Sequence, residues 1–264
     1  MCYDLSLTIA EAEISIALNG ILPDPDLGFD LQTMLHVQAQ SHRKHPVVIF
    51  EDGRYKLKGF EWGVIPEYMD TPEKIRKGRS SMCNARSEKI VDDRRSFWHR
   101  IRSQRCLIPA SGIFEHREIK GWKNKVPYLI SLRNRPLFFI PGLYHYPATR
   151  ANVETGEVTG TFTLITRQAN SLMSQIHNGG ENAGRMPLFL PKELELKWLS
   201  PGLDDHSLSG LMAYEIPPGE LEYHPVYTIR TTKERPDRKG RLEAYQWPGL
   251  PPLGQDEVKE NTLF

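Results

Sequence analysis

Cysteine is scarce, with three residues in 264 (Cys2, Cys83 and Cys106), no CxxC pair and no even set. That excludes a disulfide framework and leads us to expect a reducing, cytoplasmic setting. Long hydrophobic runs are missing too. No stretch reaches the roughly 18 apolar residues that a membrane helix needs. The opening MCYDLSLTIAEAE has neither the basic nor the apolar part of a secretory signal. Nor does one sign of charge dominate, since 34 Lys and Arg face 33 Asp and Glu. Bulk coating of a polyanion is thereby excluded, and any nucleic-acid site must be a local basic patch. Repeats and heptads are absent, as is any metal-ligand spacing, so neither metal nor cofactor is expected.

What is present reads as a globular chain, 39% hydrophobic and 25% charged. TIAEAEISIAL (8–18) has a helical period. PVVIFEDGRYKLKGFEWGVIP (46–66) reads as a hairpin turning at Asp52-Gly53. EYMDTPEKIRKGRSS (67–81) is a basic loop or short helix. DDRRSFWHRIRSQR (92–105) is helical in pattern, with Phe97 and Ile101 four apart. Strand patterns follow at 106–118, 126–146 and 160–169, and PKELELKWLS (191–200) predicts a helix. The expected fold is α+β, one domain (2–228) on an antiparallel, barrel-like sheet with flanking helices. Residues 229–264, charged and proline-rich, read as a tail, partly disordered.

Chemistry begins at the second residue. Methionine before a small side chain is normally trimmed, which makes Cys2 the free terminus. Its amine and thiol sit on adjacent carbons, and such a 1,2-aminothiol condenses with an aldehyde to close a five-membered thiazolidine. With reference values of about 7.7–8.0 and 8.5, both groups are mostly protonated at neutral pH, so a neighbouring base is required. Three further segments stand out. CNARSEKI (83–90) places Asn84, Arg86 and Glu88 at alternate positions, on one face if the segment is extended; a solvated strand face would look the same. IPASGIFEH (108–116) sets Glu115 in apolar surroundings, as a turn residue or as a carboxyl with a raised pKa. IHNGGENAGRMP (176–187) sets His177 before a glycine-rich insert, as an acid–base group or a structural histidine.

Together the order Cys2, NARSE (84–88), RCLIPASGIFE (105–115), ITRQAN (165–170) and His177 with RMP (185–187) resembles the SOS response-associated peptidase family. WGVIP (62–66) and HPV (224–226) extend the resemblance across most of the chain. Members of that family covalently trap abasic sites in single-stranded DNA. The resemblance implies that Cys2 forms the thiazolidine with the open-chain sugar, in a lyase-like, reversible reaction. It implies that Asn84 orients the linkage, that Glu115 moves protons from the terminal amine, and that His177 helps open the ribose. Arg86 and Arg185 would clamp flanking phosphates. Trp62 would stack on bases beside the lesion, or be a core residue. Thr166 and the basic loop with Lys74, Arg76, Lys77 and Arg79 would extend the phosphate track. The partner expected is single-stranded DNA, with no membrane, a monomeric protein, and a cytoplasmic location that becomes nucleoid-associated at damage.

Two alternatives share these residues: a thiol peptidase, including self-removal of Met1, and a non-catalytic single-strand-binding module. The chain also departs from the family pattern. Its opening reads Met1-Cys2-Tyr3-Asp4, with an acid where an arginine for phosphate is usual. His116 stands for an aromatic. His36-Val37-Gln38-Ala39 replaces a Tyr-Asn-x-x-Pro, and the GGENAG insert (179–184) separates His177 from Arg185.

Overall fold

The computed structural model describes residues 2–9, 13–14, 17–18, 24–150, 158–231 and 233–256. Its strands are β1 (Asp4–Leu7), β2 (Asp24–Asp26), β3 (Met34–Gln38), β4 (Lys44–Glu51), β5 (Arg54–Trp62), β6 (Asn84–Arg86), β7 (Arg105–Ala110), β8 (Gly112–Arg117), β9 (Val126–Leu132), β10 (Phe138–His145), β11 (Thr161–Gln168), β12 (Arg185–Pro187) and β13 (Leu221–Pro225). The hairpin read from the sequence is β4–β5. Its turn residues Asp52 and Gly53 both take positive φ (53° and 76°), the conformation that matches the strands' right-handed twist.

Two sheets form. One is five-stranded and antiparallel, in the order β13-β9-β8-β1-β3. In the other, β5-β4-β7-β10-β11 runs antiparallel and closes into a ring where β11 meets β5 in parallel at Phe162 and Trp62. β6 and β12 also join β11, one parallel and one antiparallel. The antiparallel, ring-like α+β architecture expected from the strand spacing is therefore present.

The ring strands are apolar at consecutive positions because both of their faces are covered. In β7, Cys106, Ile108 and Ala110 pack with the residues of the five-stranded sheet, while Leu107 packs on the opposite side. That opposite side is closed by the helix Lys192–Leu199, whose Trp198 indole donates to the carbonyls of Cys106 and Gly142. No side chain fits at Gly142, since a Cβ there would lie 2.5 Å from the Thr163 carbonyl.

Some sequence expectations are shortened or displaced. Of the 92–105 pattern only Phe97–Arg100 is helical, capped by Ser96. The 67–81 segment holds the helix Pro72–Gly78. Of the expected 8–18 helix, residues 10–12 and 15–16 lie outside the described residues; Ile14 and Leu18 are buried, and the Leu18 amide donates to the Ile14 carbonyl. The helix Asp205–Ala213, capped by Asp204, has no counterpart in the sequence reading.

The charged C-terminal segment is packed as far as Asp256. Arg117 of β8 is fully buried, and its guanidinium donates to Asp256 and to the carbonyls of Pro251 and Pro252. Trp247 stacks on Tyr227 and donates to the Val226 carbonyl. Composition alone marks this segment as a tail, but one buried arginine and one indole tie it to the sheet. Arg117→Ala should cost about 3 kcal/mol, because it strands those acceptors. Thermal unfolding and limited proteolysis should show a lower Tm and cleavage between residues 233 and 256.

Candidate active site

β1 brings the N-terminus into the five-stranded sheet. Leu5 lies opposite Ile113 and Ser6 opposite Gly112 on β8, and the same register carried two residues on sets Glu115 beside Tyr3 and Cys2. Cys2 is fully buried, its thiol donating to the Asp4 carbonyl at 3.5 Å. Burial and the nearby Glu115 push that thiol well above its ordinary value. It is therefore a protonated thiol at neutral pH, and any reaction it enters needs a proton acceptor.

Glu115 is 3% exposed. Burial lifts its carboxyl to about 8, so at neutral pH it holds its proton. Its Oε1 has no hydrogen-bond partner among the described residues. Its Oε2 lies 3.8 Å from Nδ1 of His177. The sequence left Glu115 as turn residue or buried acid; it is a buried acid.

His177 ends the helix Ser171–Ile176, which Asn170 caps. Its Nδ1 pairs with the Arg185 carbonyl at 2.8 Å. A carbonyl only accepts, so Nδ1 carries the hydrogen and Nε2 the lone pair. Burial lowers this imidazole to about 4 and keeps it neutral. The GGENAG insert does not part His177 from Arg185. It loops out and returns through the Gly184 amide to the His177 carbonyl, and Gly179 to Asn182 line the cleft.

β6 is placed against the N-terminus by a short relay of bonds. The Ala39 amide donates to the Tyr3 carbonyl, and the Cys83 thiol donates to the Ala39 carbonyl. Asn84 follows Cys83 and is 4% exposed, yet neither side-chain atom of its amide has a partner among the described residues. Buried polar groups left in this state are rare and usually await a ligand. Asn84→Leu should therefore raise stability by about 1–3 kcal/mol while impairing the site, a trade readable from paired thermal melts and activity.

Glu115 and His177 line an open cleft of about 610 Å³, together with Tyr3, Asp4, Lys125 and Arg230 among others, while Cys2 and Asn84 are not among its lining residues. The acid at position 4 is accounted for by its partners. Asp4 is 1% exposed and accepts from His36 at 2.7 Å and from both Nε and Nη2 of Arg230. Burial raises its carboxyl, but these two partners outweigh burial and hold it below the usual range. A guanidinium thus stands at the cleft mouth although residue 4 is acidic.

A family model, SOS response associated peptidase (SRAP), matches residues 1–230. The chain belongs to the SRAP family. The abasic site processing protein YoqW of Bacillus subtilis is 35% identical over 156 residues, 59% of this chain. The match spans 62% of that relative's length. The abasic site processing protein YobE of the same organism is 31% identical over 191 residues, 71% of this chain and 79% of that protein. The crystal structure of a protein from Bacteroides thetaiotaomicron superposes with a TM-score of 0.71 at 27% identity, covering 92% of this chain and 97% of the other.

Within this SRAP fold four residues do not sit as expected. Trp62 has no exposed surface: its indole donates to the Cys83 carbonyl and its ring stacks on Phe162, so no face is left for a base. Arg79 is 7% exposed and bonds the Gly63 carbonyl and Glu61, which makes it a brace for β5. Thr166 is fully buried, with its hydroxyl toward the Ala85 carbonyl. Arg185 is held bidentately by Glu88 and also donates to the Thr166 carbonyl. The extended segment stops at Arg86, so Glu88 falls on a 3₁₀ turn instead of sharing a strand face with Asn84. Arg86 is exposed and reaches Asn182 of the insert. In the 67–81 segment, Lys74 is taken up by Asp70, just before the helix, and Lys77 by Glu73 on its own helix. Arg230, His36 and Lys125 were missed, because isolated basic residues carry no spacing signal until the fold brings Arg230 and Lys125 to one cleft and sets His36 with Arg230 on Asp4.

Proposed function

We propose that this SRAP protein traps abasic sites in single-stranded DNA through the mature N-terminal Cys2. The observation that carries the reading is a buried thiol beside a protonated Glu115 at an open cleft, with a neutral His177 within reach of that carboxyl. An aminothiol cannot react while both groups hold protons. Glu115 at about 8 lies close to a terminal ammonium, at about 7.7–8.0, so a proton passes between them at little cost.

The steps balance without a redox partner. After Met1 is released, the Cys2 ammonium gives its proton to the ionised fraction of Glu115, which grows as pH approaches about 8, and the free amine attacks the sugar aldehyde carbon. The carbinolamine loses water as Glu115 returns a proton to the departing oxygen. The Cys2 sulfur then adds to the imine carbon, and its proton ends on the ring nitrogen, closing the thiazolidine. The Nε2 lone pair of His177 would take the sugar hydroxyl proton during ring opening, and Asn84 would hydrogen-bond the linkage. Arg86 and Arg230 would hold flanking phosphates; Arg185 would do so only by leaving Glu88. The names of YoqW and YobE support this reading. The test is a single-stranded oligonucleotide with one abasic site, followed by a denaturing gel and intact mass. A heat-stable adduct that forms without reductant and weighs one water less than its components supports it. Absence of adduct from protein lacking Met1 overturns it.

A further inference from the structure

A second cleft of about 690 Å³ lies beyond the first and shares Ile229, Arg230 and Thr231 with it. Arg43, Lys44 and Arg241 also line it, against Asp30 as the one carboxylate among its described lining residues. Arg43 is exposed and Lys44 half-buried, and among the described residues no acidic side chain pairs with either. Arg241 is pinned to the shared wall, donating to the carbonyls of Ile229 and Thr231. Arg230 stands between the clefts, with its side chain 44% exposed and anchored on the buried Asp4. Leu35, 45% exposed, supplies an apolar surface on the same wall.

Cations spaced along a concave wall with an apolar patch between them fit a phosphodiester strand whose bases rest on the wall. We propose that DNA held at Cys2 continues on one side only, past Arg230 and into this second cleft, where Arg43, Lys44 and Arg241 take its phosphates. The proposal rests on the abasic-site reading and adds a direction to it. Arg230 acts as the hinge point because its charge is fixed in place by Asp4 and His36, while half its surface stays open to solvent.

The test uses Arg43→Gln with Lys44→Gln, two substitutions outside the core, and two oligonucleotides that carry the abasic site at opposite ends. Binding is read by fluorescence anisotropy over a salt series, and adduct formation by denaturing gel. With one oligonucleotide the double variant should lose roughly tenfold in affinity at low salt. Its log–log salt slope should fall by about 1.4, as expected for two lost phosphate contacts on a single strand. With the other oligonucleotide neither should change. Equal losses on both strands, or none on either, would overturn the track. Because binding is read separately from the adduct, an asymmetric loss in the double variant, with no adduct from wild-type protein, would keep the track and refute the Cys2 chemistry.

Discussion

Cys2→Ala is expected to abolish the heat-stable adduct entirely while leaving noncovalent DNA binding within about twofold. The thiol is buried and, among the described residues, makes a single hydrogen bond, to the Asp4 carbonyl, so its loss removes little packing. The basic residues along the clefts are untouched, so the electrostatic part of binding persists. Without sulfur the imine cannot close, and it hydrolyses back to aldehyde and amine. Cys2→Ser should behave almost the same way, because a neutral hydroxyl is a far weaker ring-closing nucleophile than sulfur. Adduct yield on a denaturing gel, set beside anisotropy for binding, separates covalent trapping from a non-catalytic binding module. Loss of both signals would favour a structural role for Cys2. A heat-stable adduct retained by Cys2→Ser would count against the thiazolidine.

Glu115→Gln should slow adduct formation by about 10²–10⁴, the usual contribution of a positioned acid or base. Wild-type rate should climb as pH passes through about 8, where the carboxyl ionises and can accept the ammonium proton. The amide variant keeps the shape and loses that limb of the profile. Intact mass of the same variant tests self-processing, and retained Met1 would show that Glu115 also serves that cleavage. Stability should move in the opposite direction from activity. Glu115 is raised in the folded state, so its contribution is fully present below about 4.5 and is lost as pH rises to about 8. His177 is lowered to about 4, so its contribution is present above about 6.5 and is lost as pH falls. The two oppose each other between about 4.5 and 6.5, and burial lifts Glu195 to about 7, so its contribution is lost alongside that of Glu115 up to that pH. Wild type should therefore go on weakening between pH 7 and 8, while Glu115→Gln should level off near 7. The Tm difference at pH 9 would reflect on the order of 5 kcal/mol. Parallel melting curves for both proteins across this range would refute the buried-acid assignment.

The same residues explain what could be read before the fold was known. The proposed aminothiol was legible because it depends on local sequence: a cysteine at position 2, once Met1 is released, brings amine and thiol together whatever the rest of the chain does. The hairpin at Asp52-Gly53, the apolar ring strands and the segments holding Asn84, Glu115 and His177 were likewise local, set by turn chemistry and by alternation. The state of each group was not legible, because protonation depends on burial and burial depends on contacts far along the chain. Glu115 and His177 come from different strands and helices, and their shifts arise only when the two sheets exclude water from both.

The basic residues show the limit most clearly. Trp62, Arg79 and Arg185 look in the sequence like surface contacts for DNA, but the ring around β11 turns Trp62 and Arg79 inward and gives Arg185 to Glu88. Arg230, far from position 4, was brought to it by the return of the chain after β13. By itself the sequence determined the family, the type of sheet and the place of the candidate nucleophile, all of which reside in short, ordered motifs. Tertiary structure alone decided which arginines face solvent and where Asp4 finds its partners. It also decided which carboxyl keeps its proton, since desolvation and ion pairing are properties of neighbours in space.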